Sequence, residues 1–249
     1  MVSAVSGVTA GYPVGSLDVL AEHPKKQEIT SEEVVAAYID RCKEVNTYVN
    51  AIVEPRYDAA LREARSIDKM IASSQRSVEE LQHENPAKKD ADIIRQARAA
   101  GAIPIAVTNT PQLCMSWETY NNSALISAGA SLIGLGSDIA GSLRLPPMFT
   151  GIYGHKPTPR LLSVEDFEEY FALGPITRYA EDLSLMLKVL KQPGSPEIPF
   201  DKPVDISKLK FYYMESDGSN VSDAIGPDVR RAMDMAREHI KRTYNIDVK

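Results

Sequence analysis

Apolar residues recur along this chain in two rhythms, one of about 3.6 residues and one of short unbroken runs, and the two alternate. Thr30-Ser31-Glu32-Glu33 is a capping box. Behind it Val34, Val35, Tyr38, Ile39, Cys42 and Val45 fall on one face, which predicts a helix over 31–45 that ends in the Asn-rich stretch 46–50. A short strand, Ala51-Ile52-Val53, leads to Pro55 and a second helix whose buried stripe is Tyr57, Ala60, Leu61, Ala64, Ile67 and Ile71. Residues 73–89 are polar and predict a short helix plus a loop. A helix over 90–100 follows, with Ile93, Ile94 and Ala97 inward and Gly101 just past its end. The run Ile103-Pro104-Ile105-Ala106-Val107 reads as a buried strand with Pro104 at its start or edge, because proline has no N–H to give to a ladder.

The alternation then repeats. A short helix over 124–128 closes at Gly129, a strand spans 130–135, and a further helix begins at Ser142. Later come an amphipathic helical turn over 166–171 begun by Ser163, a helix over 181–190, a strand over 209–214 and a helix over 227–244. Such alternation predicts the α/β class, with a mixed, largely parallel sheet covered by helices.

Composition narrows the picture. With 249 residues, 43% of them hydrophobic, the chain is long enough for a sizeable core. A formal net charge of −6, with no basic stripe, gives no reason to expect a nucleic-acid partner. Cys42 and Cys114 stand far apart without repeated spacing, so neither a disulfide framework nor a zinc site is suggested and a reducing, intracellular or cytoplasmic compartment fits. His23, His83, His155 and His239 show no ligand spacing, and no metal or cofactor is expected. The first fifteen residues lack the charged start of a secretory signal, and no run reaches the ~20 apolar residues needed to span a bilayer.

The densest chemistry lies in Gly134-Leu135-Gly136-Ser137-Asp138-Ile139-Ala140-Gly141-Ser142-Leu143-Arg144-Leu145-Pro146. Glycines there allow the main chain to approach a ligand closely. Neither phosphate fingerprint fits: Ile139 stands where a dinucleotide motif needs its third glycine, and Ser142 stands where a P-loop needs lysine. Two readings remain. In one, Ser142 opens a helix below the N–H groups of Ile139, Ala140, Gly141 and Ser142 as oxyanion donors; in the other, the segment is a plain strand-to-helix turn with Ser142 as N-cap. Asp138 and Arg144, flanking the tight turn, read as an ion pair that fixes the loop. Trp117 and Tyr120 read as core aromatics.

Gly136 to Pro146, followed by Gly151-Ile152-Tyr153-Gly154-His155-Lys156-Pro157-Thr158, resembles the core pattern of the amidase signature family, GxGSDxxGSxRxPxxxxGxxGxKPT. Thr108-Asn109-Thr110-Pro111-Gln112-Leu113 and Leu173-Gly174-Pro175-Ile176-Thr177-Arg178 are similar to segments of its animal fatty-acid amide hydrolase branch. The resemblance runs from about Ser31 onward. It implies a partial amidase-signature domain over 31–249 after a poorly ordered segment over 1–30. It also implies Ser142 as nucleophile, Ile139, Ala140 and Gly141 as the oxyanion hole, a small-molecule amide as partner, and room for peripheral membrane association. Ala140 stands where many members carry glycine.

Three departures accompany the resemblance. The strand GVPxxxK, whose lysine is the family's terminal base, has no counterpart around Asn85-Pro86-Ala87-Lys88-Lys89-Asp90. The run GGSSGG, which supplies the bridging serine, is reduced to Ser123 and Ala124. The sequence also stops at Lys249, ahead of the family's C-terminal part. Lys88 and Lys89 read as solvated, and Lys156 as a structural residue of its turn. Together these features imply an amide hydrolase acting on small or fatty-acyl amides through an acyl-enzyme on Ser142, impaired in this chain. The alternative is a catalytically inactive relative that serves in binding. Exposed strand edges would then invite a second copy of the chain.

Overall fold

A computed structural model describes residues 29–73, 90–109, 122–159, 161–162, 170–192, 194–195, 197–200, 202–216 and 224–249. Expectations for residues 1–28, the short helix and loop within 74–89 with Lys88 and Lys89, Cys114, Trp117, Tyr120 and the turn over 166–169 lie outside the described residues. The chain divides into two compact units, Met1–Ile198 and Pro199–Lys249.

In the first unit, helix α1, Ser31–Val49, begins where the capping box was read. The Thr30 hydroxyl accepts from the Glu33 N–H at 3.1 Å, and Glu33 Oε2 accepts from the Thr30 N–H at 2.8 Å. Thr30→Ala is expected to lower stability by about 1 kcal/mol, read as a shift in the urea midpoint, because it removes one acceptor from the first turn. Contrary to the break read at 46–50, α1 continues to Val49 and ends on Asn50 in the left-handed conformation (φ 44°). Asn46 stays helical, and its Oδ1 accepts from the N–H groups of Ala51 and Ile52, which pulls the chain straight into the next element.

Strand β1, Ile52–Pro55, pairs antiparallel with β2, Ala106–Thr108. Pro104 lies ahead of β2, and its carbonyl accepts from Arg56 instead of joining a ladder. Helix α2, Tyr57–Ser73, packs its fully buried Ala60 and Ala64 against Val35 and Ile39 of α1. Helix α3, Asp92–Ala99, is tied back to α2 where Arg98 bonds Glu63 at 2.6 Å and Arg56 bonds the same carboxylate at 3.1 Å.

Helix α4, Asn122–Ser127, sends Leu125 into a cluster with Cys42, Val45, Ala51 and Ala130. Burial pushes the Cys42 thiol up to about 11, and its Sγ donates to the Ala130 carbonyl, so it behaves as a small core residue. A three-stranded sheet follows, with β3, Ile133–Asp138, at one edge, β4, Tyr153–Gly154, at the other, and β5, Ala172–Thr177, between them. Helices α5, Leu145–Thr150, and α6, Ala180–Leu190, complete the unit.

The α/β class is as the sequence indicated, but every strand pairing among the described residues is antiparallel, where largely parallel pairing was expected. The reason is local. β3 and β4 are both antiparallel to β5 and therefore run in the same sense, yet β5 returns between them and takes the hydrogen bonds that adjacent parallel strands would have shared.

The second unit holds a 3₁₀ turn, Ile206–Lys208, and helix α7, Pro227–Tyr244. The strand expected over 209–214 does not form. Backbone hydrogen bonds join Phe211 and Tyr213 to Lys249, the Leu209 N–H turns back to the Ile206 carbonyl, and a single partner residue does not make a ladder.

Candidate functional site

Asp138 is the last residue of β3, and everything about the loop that follows is organised on its carboxylate. The side chain is fully buried. Its Oδ1 accepts from the Gly141 N–H at 2.8 Å and from Arg144 Nη2 at 3.0 Å. Its Oδ2 accepts from the Leu143 N–H at 3.0 Å and from Arg144 Nε at 2.9 Å. Lys156, reaching over from just after β4, adds a contact to Oδ1 at 3.2 Å. Asp138 and Arg144, expected as an ion pair, bond each other through both carboxylate oxygens, and Lys156, expected only as a residue of its own turn, is a third member of this clamp.

Burial by itself would raise the Asp138 carboxyl, but the Arg144 fork, the Leu143 and Gly141 N–H groups and the Lys156 ammonium outweigh it and hold the group down at about 2. An aspartate in an unfolded chain titrates near 3.9, so the folded form binds this proton more weakly. The resulting stabilisation, about 2 kcal/mol, is present in full above pH ~5 and is lost as the pH falls through the folded value. Urea midpoints measured from pH 6 down to pH 2 are expected to fall across that window, and the acid limb should flatten in Asp138→Asn.

The turn itself alternates inward and outward positions. Gly141 and Leu143 are buried while Ser142 and Arg144 are exposed. Gly141 adopts φ +139°, a conformation side chains rarely take, and a Cβ there would lie 2.7 Å from Leu145. Leu143 plugs into a pocket with Ile126 of α4 and Ile176 of β5. Two glycines make room beneath it: a Cβ on Gly154 would lie 1.8 Å from the Leu143 carbonyl oxygen, and one on Gly174 would lie 2.7 Å from Leu143 Cδ1. Anchoring Leu143 from below in this way lifts the Ser142 hydroxyl into solvent.

Ser142 sits in the turn three residues ahead of α5, not as its first residue, and the N-cap is Arg144. The plain reading of Ser142 as an N-cap is therefore not met. Of the three expected oxyanion residues, Ile139 and Ala140 are exposed beside Ser142, whereas the Gly141 N–H already serves Asp138. The expectation of a free Gly141 donor is corrected accordingly: the buried carboxylate takes that N–H because it must be compensated. Ala140 keeps out of the positive-φ region, which explains how alanine is accommodated at that position.

Among the described residues no lysine or serine side chain hydrogen-bonds the Ser142 hydroxyl. Lys156 is committed to Asp138 and to the carbonyls of Ile139 and Tyr170. Ser123, in α4, is fully buried. His155, next to Lys156, is half-buried, and burial lowers its pKa so that the ring stays neutral near pH 7. Among the described residues no group of three His, Cys, Asp or Glu side chains could hold a metal ion, and no helix is long and apolar enough to cross a membrane.

Comparison with known proteins places this geometry. A family profile described as Amidase matches residues 122–248. Human fatty-acid amide hydrolase 2 is 33% identical over 261 residues, covering 81% of this chain and 49% of its own length. Fatty-acid amide hydrolase 2-B of Danio rerio is 34% identical, covering 81% and 50%. The chain thus spans about half the length of the curated relatives it matches. Among solved structures, one titled Fatty acid amide hydrolase superposes with a TM-score of 0.77 at 20% identity, covering 94% of this chain and 52% of that one. A bacterial aryl acylamidase of the amidase signature enzymes superposes with a TM-score of 0.64, also at 20% identity, covering 72% and 48%. At that identity the superpositions establish the fold.

Proposed function

The chain belongs to the amidase signature family, and on that premise we propose that it carries the site of a fatty-acid-amide-hydrolase-like amide hydrolase with Ser142 as its nucleophile, in an impaired form. The observation that carries this reading is the exposed Ser142 on a turn locked by Asp138. A fixed, solvent-facing hydroxyl beside the exposed residues Ile139 and Ala140 suits attack on an acyl carbon and stabilisation of the resulting oxyanion. Ser142 Oγ would attack the carbonyl carbon of a small or fatty-acyl amide, the C–N bond would break with the amine leaving after taking a proton, and water would then cleave the Ser142 ester to release the carboxylic acid and restore the hydroxyl.

Impairment follows from proton transfer. A serine hydroxyl is a weak nucleophile near neutral pH and needs a base within ~2.6–3.2 Å, directly or through a relay. Lys156 is poorly placed for that task, because its Nζ is already committed to a buried carboxylate and two carbonyl oxygens. The alignment with the human relative supports internal gaps: 261 aligned residues cannot be matched by 81% of 249 unless some of the relative's residues face gaps in this chain. On this reading residues 31–249 form a partial amidase-signature domain whose open edges favour self-association.

The reading is tested by inserting a GVPxxxK-like segment after Pro86 and a GGSSGG-like segment after Asn122, then following amide release from short and long acyl amides. Turnover in the restored chain that disappears in its Ser142→Ala variant supports the assignment. Turnover that survives Ser142→Ala overturns it.

A further inference from the structure

The Ser142 turn contains three successive peptide units whose orientations are each fixed by one identifiable contact. A trans peptide points its C=O and its N–H in opposite directions, so holding one end aims the other. In the Ala140–Gly141 unit, the N–H is held inward by Asp138 Oδ1 at 2.8 Å. In the Gly141–Ser142 unit, the carbonyl accepts from the N–H groups of Arg144 at 2.9 Å and Leu145 at 2.7 Å, which turns the Ser142 N–H away from α5. In the Ile139–Ala140 unit, the carbonyl accepts from Lys156 Nζ at 3.0 Å.

From this we infer that Lys156 is a positioning residue for the reaction: by holding the Ile139 carbonyl it aims the Ala140 N–H outward, to the side where Ser142 is exposed, and so sets one of the oxyanion donors. The inference rests on the reading of Ser142 as nucleophile. Lys156 is suited to the role because its ammonium is itself fixed at two further points. It bonds Asp138 Oδ1 at 3.2 Å and the Tyr170 carbonyl, just ahead of β5, at 2.7 Å. Three acceptors match the three protons of an ammonium, so the group has one orientation and the Ile139 carbonyl has a rigid partner. Arg144 also compensates Asp138 but makes no contact with the Ile139 carbonyl. The two cations therefore have separable jobs: both neutralise the carboxylate, and only Lys156 aims a peptide.

The test uses the full 249-residue chain, isotope-labelled and weakly aligned, with backbone N–H residual dipolar couplings read at Ala140 and Gly141. In the wild type the Ala140 coupling should fit a vector opposed to an Ile139 carbonyl turned toward Lys156. In Lys156→Met the Ala140 coupling should collapse or change sign while Gly141, still held by Asp138, keeps its value. In Arg144→Met the Ala140 coupling should persist. A wild-type Ala140 vector pointing inward, or an Ala140 coupling unchanged in Lys156→Met, overturns the inference, and the wild-type measurement decides even if the Met variant does not fold. In parallel, the rate of Ser142 phosphonylation by a fluorophosphonate at saturating probe should fall ~10²-fold or more in Lys156→Met, with the half-saturating concentration unchanged, as for loss of an oxyanion donor. If the 249-residue chain reacts too slowly to read, the same comparison is made in the chain with the GVPxxxK-like and GGSSGG-like segments inserted, where absence of reaction at Ser142 overturns the reading of Ser142 as nucleophile and the couplings still judge the role of Lys156.

Discussion

Replacing Asp138 by alanine is expected to destabilise the first unit by about 3–5 kcal/mol, the range seen when one partner of a buried ion pair is removed. The cost has separable sources. Lys156, whose side chain is 19% exposed, would lose its carboxylate partner. The Gly141 and Leu143 N–H groups would lose their acceptor in a buried turn, at about 1–3 kcal/mol for each group left unpaired. Arg144 is 53% exposed and can turn to water, so it adds little. Asp138→Asn should cost less, because the amide oxygen can still accept one of the two N–H bonds. Urea denaturation followed by circular dichroism reads the difference. An alanine variant within ~0.5 kcal/mol of the wild type, the behaviour of an ordinary surface site, would show that the carboxylate does not organise the turn.

Gly154→Ala should disturb the same turn from below. The added Cβ would lie 1.8 Å from the Leu143 carbonyl oxygen, 3.0 Å from its carbonyl carbon and 2.7 Å from Pro147 Cγ. Backbone cannot swing aside as a side-chain tip can, so either β4 leaves β5 or the Leu143 peptide rises and carries Ser142 with it. Overpacking of a core typically costs about 1–3 kcal/mol, and contact with main chain puts this substitution at or above the upper end. Gly136→Ala is the comparison. Its Cβ would meet only Leu143 Cδ2 at 3.3 Å, the tip of a side chain that can give way, so its midpoint should stay close to the wild type. Equal midpoints for the two variants would contradict the close approach of β4 to the turn.

The elements that the sequence announced best are those with chemical punctuation. α1 starts at its capping box, and α7 runs from Pro227 to Tyr244, the bounds read for it, with Pro227 in its first turn. The Asp138–Arg144 clamp was legible because both partners lie within one tight turn. Lys156 was not legible as its third member, since it is eighteen positions from Asp138 and reaches it only because β5 lies between β3 and β4. β5 itself was hidden by Gly174-Pro175, a dipeptide that reads as a turn. In the fold Pro175 sits in a central strand and contributes through its carbonyl, which accepts from the His155 N–H at 3.1 Å. The residues 209–214 erred in the opposite direction: their apolar pattern suits a strand, but strand formation depends on a partner that local sequence does not specify. The room that Gly154 and Gly174 leave beneath Leu143 was equally invisible, because it depends on which backbone lies above each glycine.

The central claim is that the chain retains a built nucleophile turn but lacks the groups that would activate its serine, and covalent labelling tests it most directly. A fluorophosphonate reacts only where a serine is both deprotonated on attack and faced by oxyanion donors. The 249-residue chain should label at Ser142 weakly or not at all, on the order of 10⁴-fold below a complete serine hydrolase. The chain with GVPxxxK-like and GGSSGG-like segments inserted should label at Ser142, and its Ser142→Ala variant should not. Rapid stoichiometric labelling of the uninserted chain at Ser142 would contradict the account, because it would mean that a base outside the clamp already reaches the hydroxyl.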